Sequence, residues 1–192
     1  MGKKRHESFN VGFGRDESDI FLDRLLQWLC DLQSKDIKRF EEEEVTELAH
    51  ALAKKLNGVV FCDFDRDYRK AYSLHILFDE KGNAPSKSND DYFAVLKASQ
   101  FDVRVDISRK GGFFYLRAYR VSPVNDSSFL DPMQEKSKYL LKACDRITRF
   151  LTDRGLIQVP DALLDRRIHG HNELGGEVTV KTQLFGEIWA AS

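Results

Sequence analysis

At 192 residues the chain is long enough to bury one substantial core, so a single domain is expected. Lys and Arg (30) nearly balance Asp and Glu (31) for a net charge of -1, which excludes a global field drawing the chain to nucleic acid or an anionic membrane. Cys30, Cys62 and Cys144 are far apart, odd in number and without Cys-x-x-Cys spacing, which argues against a disulfide framework or thiolate metal site and for a reducing, cytoplasmic compartment.

Residues 1–10 begin basic but lack an apolar run, so no secretory signal is expected, and His6 does not suit a myristoylation signal. Lys3, Lys4 and Arg5 read as part of a flexible tail, residues 1–17, ahead of one α+β domain over 18–192. No apolar run is long enough to cross a bilayer. From 18 to 33, Phe21, Leu22, Leu25, Leu26, Leu29 and Leu32 recur at helical spacing, with Trp28 and Cys30 widening the stripe. A second helix is predicted over 42–57, with Val45, Leu48, Ala49, Leu52 and Leu56 on one face. Acidic residues stand at its start, Lys54 and Lys55 near its end, and Asn57-Gly58 closes it.

Residues 59–64 and 72–78 read as antiparallel strands joined by a charged loop, and 79–90 as a polar loop. The segment 91–100 fits helix or strand; Ser88 as cap, acidic residues in the first turn and Lys97 near the end favour helix. From Phe101 to Val121 two alternating runs flank Arg109-Lys110-Gly111-Gly112, a β-hairpin. A turn on Lys110-Gly111 sets Ile107 opposite Phe114, Val105 opposite Leu116 and Val103 opposite Ala118 on an apolar face. The other face then sets Asp106 opposite Tyr115, Arg104 opposite Arg117 and Asp102 opposite Tyr119. Pro123 and residues 125–128 read as a loop, and Asp131-Pro132-Met133-Gln134 as the start of a long helix ending at Gly155. An extended stretch at 156–160, a helical turn at 161–167, a loop at 169–176 and a C-terminal segment of mixed strand and helix character follow. The predicted fold is α+β: an antiparallel sheet with two N-terminal helices and a long C-terminal helix packed against it.

Several motifs carry possible chemistry. In VVFCDFDRDY, residues 59–68, Asp63 and Asp65 at a strand end resemble the Asp-x-Asp motif of haloacid dehalogenase-type phosphatases. That resemblance implies a metal-dependent phosphoryl hydrolase with Asp63 as nucleophile and Asp65 as acid and base. Arg66 and Asp67 replace the small residues of that motif, and a hairpin follows where a crossover helix belongs. As a calcium loop the stretch has Tyr68 at the required Gly and Leu74 at the bidentate acid, so a solvated turn is favoured. His169, His171 and Glu173 have ligand density, but Gly170, Gly175 and Gly176 favour a polar loop, and no metal or cofactor is expected. The cysteines, including Cys62 between Val60 and Phe64, read as small core residues.

The outer hairpin face remains: Asp102, Arg104, Asp106, Tyr115, Arg117 and Tyr119, with Phe113 at its turn end. Tyr and Arg concentrate binding energy at protein interfaces, while the aspartates repel phosphate. The expectation is a non-enzymatic protein-binding module, immunity- or antitoxin-like or an assembly adaptor, holding another protein at this face. The phosphoryl hydrolase and a nucleic-acid-binding accessory protein are the alternatives. Val105→Asp is expected to cost several kcal/mol of stability, and Arg104→Ser less than about 1 kcal/mol.

Overall fold

The computed structural model describes residues 20, 23–25, 27, 40–64, 70–85, 91–124, 127–133, 137–171 and 177–186. The chain divides into residues 1–37 and 38–192. In the first unit, Ile20, Asp23, Arg24, Leu25 and Gln27 are helical and Leu25 is buried; Trp28, Cys30 and the proposed tail over 1–17 lie outside the described residues.

The second unit is an α+β fold, and its first helix, α1 (Glu42–Leu56), forms for the reasons read from its ends. Glu41 is the N-cap in a capping box with Glu44, whose side chain accepts from the Glu41 amide at 3.2 Å. Asn57 takes the left-handed conformation, φ 56°, at the C-terminus, and Val45, Leu48, Ala49, Leu52 and Leu56 form the buried face.

Strands β1 (Val60–Asp63), β2 (Ala71–Phe78), β3 (Phe101–Ser108), β4 (Phe113–Val124) and β5 (Ser127–Pro132) follow one another across an antiparallel sheet. The short β6 (Ile157–Gln158) adds in parallel beside the start of β4, on the edge that β5 occupies farther along. The β3–β4 register is the predicted one at every pair, from Ile107 opposite Phe114 to Asp102 opposite Tyr119. Alternation sends Leu74, Ile76, Val103, Val105, Ile107, Phe114 and Leu116 to an inner face, where they share one core with α1 and with α3 (Lys138–Thr152). Arg146 of α3 donates to the Lys55 carbonyl of α1 at 3.1 Å, tying the two inner helices together.

Two short helices stand on the outer face. α2 (Tyr92–Lys97) buries Val95 and Leu96 against Leu77 and Val121. α5 (Val180–Phe185) lies over the opposite end, where Ser108 donates to the Leu184 carbonyl at 2.8 Å and Phe185 meets Tyr115 edge-on at 4.5 Å. Helix α4 (Asp161–Leu164) packs beside α5, and β7 (Arg167–His171) pairs with β8 (Glu177–Thr179) in a separate ribbon.

Several local readings are corrected. The predicted loop around Pro123 is sheet: residues 119–124 pair with 127–132, so Asp131 and Pro132 end β5 and do not open a helix. Helix α3 starts at Lys138, with Ser137 as the cap accepting from the Leu140 amide. Pro123 is tolerated because β4 runs past the end of β3; the last bond on that side is from the Val121 amide to the Gln100 carbonyl, 2.9 Å. Asp91, not Ser88, caps α2. The segment 167–171, read as turn and loop, is strand, and the C-terminal stretch is strand through Thr179 and helix from Val180 to Phe185.

Gly58 lies directly under Ala84, and a Cβ there would overlap the Ala84 Cβ while touching the Ala84 Cα and the Pro85 carbonyl oxygen at 3.4 Å. Gly155 needs its positive φ of 83° but has no atom within 4 Å of a built Cβ. Gly58→Ala is therefore expected to cost roughly 2 kcal/mol or more, since neighbouring backbone must shift, and Gly155→Ala about 1 kcal/mol from φ strain alone. Urea denaturation of the two variants checks the ranking.

Candidate functional site

The same alternation that fills the inner core lifts Ser73 and His75 of β2, Asp102, Arg104 and Asp106 of β3, and Phe113, Tyr115, Arg117 and Tyr119 of β4 onto the outer face. The β2–β3 register sets His75 directly opposite Arg104 and Ser73 opposite Asp106.

Around Asp102 three donors converge on one oxygen. Its Oδ2 lies 3.1 Å from His75 Nδ1, 3.1 Å from Arg104 Nε and 3.5 Å from the Tyr92 hydroxyl of α2. The residue is 0% exposed, and its Oδ1 has no hydrogen-bond partner among the described residues. Facing the carboxylate, His75 Nδ1 is the donor of that contact. Burial, which alone would lower the Arg104 pKa, is outweighed by the adjacent Asp102, so the guanidinium is raised and stays charged. Its Cζ lies 4.7 Å from the centroid of the Tyr119 ring.

A second cluster occupies the end roofed by α5. The Ser73 hydroxyl donates to Asp106, and Arg117 lies over Tyr115, Cζ 4.9 Å from the ring centroid, while donating to its hydroxyl at 3.2 Å. The outer hairpin face is thus covered over part of its length. Asp102, Asp106, Phe113 and Tyr115 are buried, and only Arg104, Arg117 and Tyr119 of the predicted set are partly exposed. The cause is α2 at one end and α5 at the other.

Tyr92 shows the electrostatic cost of this arrangement. Burial, followed by the negative charge of Asp102, pushes its pKa up to about 12. Because the folded pKa lies above that of the unfolded chain, the stabilisation is complete below pH 10 and is lost as pH rises from about 10 to about 12. Unfolding free energies over this range should fall less steeply in Tyr92→Phe than in the parent; identical slopes would place the effect elsewhere.

The other candidates do not gather. Asp63 sits on β1 opposite Ser73, while Asp65 and Asp67 lie outside the described residues. His169 and His171 belong to β7, and Glu173 lies outside the described residues. Among the described residues no group of three His, Cys, Asp or Glu side chains is placed to hold a metal ion, and no helix is long and apolar enough to cross a membrane. Cys144 is buried as expected, but Cys62 is exposed, because β1 is an edge strand. His75, Ser73 and Tyr92 were not singled out by sequence. The signal for the first two was their alternation in 71–78, which becomes informative only with the β2–β3 register. Comparison of the chain with protein-family models, with curated proteins and with solved structures gives no match.

Proposed function

We propose that the chain is a non-enzymatic, cytoplasmic protein-binding module that holds another protein at the outer sheet face, as immunity proteins or assembly adaptors do. Arg104, Arg117 and Tyr119 are its accessible contacts, with Asp102, Asp106, Phe113 and Tyr115 as the buried support. The observation that carries this reading is that Arg104, Arg117 and Tyr119 stay partly exposed on the outer face, between Tyr115 covered by α5 and Val121 covered by α2. Rigid aromatic and guanidinium groups of this kind bury much area at little entropic cost. The two arginines stand beside two buried aspartates, so the face has no surplus positive charge for a polyanionic backbone.

Affinity capture from the native cell, with full-length parent, Tyr119→Ala and Tyr115→Ala as baits, tests the proposal. Tyr119→Ala should reduce partner recovery by about tenfold or more with a small change in melting temperature. Tyr115→Ala should mainly lower the melting temperature, since its ring is packed against Phe185. Undiminished partner recovery by a folded Tyr119→Ala protein would assign the face to folding alone.

A further inference from the structure

We infer that Arg104 and Tyr119 form a clamp for a single carboxylate, and that the partner protein presents an aspartate or glutamate side chain to it. This deepens the protein-binding reading and rests on it. The guanidinium is held from behind and from below. Its Nε donates to Asp102 at 3.1 Å, and its plane rests over the Tyr119 ring with Cζ 4.7 Å from the centroid. The Tyr92 hydroxyl is a further side-chain partner of the guanidinium, whose five N–H groups still exceed those that it and Asp102 engage, and no hydrogen bond of the Tyr119 hydroxyl lies among the described residues. The Arg104 side chain is 25% exposed, on the outer face that α2 and α5 cover elsewhere.

A fork of N–H groups with one O–H beside it matches the two oxygens of a carboxylate, which can accept from the guanidinium edge and from the phenol together. Pre-organisation is the point: the side chain is already fixed by Asp102 and Tyr119, so little rotamer freedom remains to be lost on binding. Asp102 acts here as a positioning residue. It also limits the charge the clamp tolerates. A fixed carboxylate directly behind the guanidinium, one oxygen of it without a donor, disfavours a dianion more than a monoanion. The rim is apolar. Phe93 of α2 is 70% exposed and meets Tyr92 edge-on at 5.4 Å, and Tyr92 in turn meets His75 at 5.3 Å. An acidic side chain flanked by an apolar residue is the partner chemistry that fits both.

The test is an NMR titration of the full-length, isotopically labelled protein with acetate, inorganic phosphate and chloride at matched ionic strength and pH. Acetate should shift the Arg104 Nε–H and Tyr119 ring signals saturably and bind at least about threefold more tightly than phosphate. Arg104→Lys, which keeps the charge but loses the fork, and Tyr119→Phe, which loses the hydroxyl, should each weaken acetate by about threefold or more. Melting curves identify a variant that fails to fold, in which case the other decides. Shifts no larger than with chloride, phosphate binding as tight as acetate, or acetate binding unaffected in the folded variants would overturn the clamp. If acetate fails while Tyr119→Ala still loses the native partner, the clamp falls and the protein-binding reading stands. If acetate binds but the partner is captured equally by Arg104→Lys and Tyr119→Ala, the clamp as a protein contact falls together with that reading.

Discussion

Val105→Asp is expected to unfold the second unit or bring it close to unfolding. Val105 is wholly buried at the centre of β3, flanked in register by Leu74 and Leu116, in the core shared with α1 and α3. Two effects add. Removing the branched side chain forfeits roughly 1–3 kcal/mol of burial, and a carboxyl group without a partner in an apolar layer adds several more, whether it stays ionised or takes up a proton. A loss of about 4 kcal/mol or more is comparable with the whole stability of an ordinary domain, roughly 5–15 kcal/mol. Val105→Ala separates the two terms, because it removes burial without adding a polar group. Urea denaturation midpoints should fall in the order parent, Val105→Ala, Val105→Asp. Equal losses in the two variants would mean that the aspartate reaches water, and the inner face would not be the closed layer described.

Why that residue was legible in advance, and Tyr115 was not, follows from what alternation can report. Two period-2 runs and a glycine turn determine which residues oppose one another across the hairpin and which share a face, and one face was apolar enough to be core. Alternation carries nothing about what lies on top of the second face. Tyr115 is buried by Phe185, and Ser108 is tied to Leu184, both from a helix more than sixty residues later in the chain. The Asp102 cluster was hidden in a similar way. His75 shared its face with Ser73, but only the β2–β3 register, spanning a loop and α2, sets it beside the aspartate. Pro123 and Pro132 misled in the opposite sense. The loop preference of Pro123 and the helix-start preference of Pro132 were overridden by the β4–β5 ladder, which places Pro132 on an edge strand and Pro123 where β3 has already ended.

The burial of Asp102 also reverses the earlier expectation for Arg104→Ser. Read on an open face, that change removes a solvated charge and costs little. In the structure it removes one of three donors from a carboxylate with 0% exposure, whose other oxygen already lacks a partner among the described residues. Breaking a buried ion pair from one side costs roughly 3–5 kcal/mol, and the part of Arg104 that reaches solvent reduces this, so a loss of about 2 kcal/mol is expected, above that of an exposed charge. The penalty belongs mainly to the stranded carboxylate, not to the lost pair. Asp102→Asn on its own should also destabilise, by leaving the guanidinium without its counter-charge. The double variant Arg104→Ser/Asp102→Asn should lose less than the sum of the two single changes by about 1 kcal/mol or more, because neither charge is left behind. The measurement is a double-mutant cycle from denaturant unfolding near neutral pH. Strict additivity would show that water or His75 satisfies Asp102 without Arg104, and would remove the aspartate from its role in fixing the guanidinium at the mouth of the outer face.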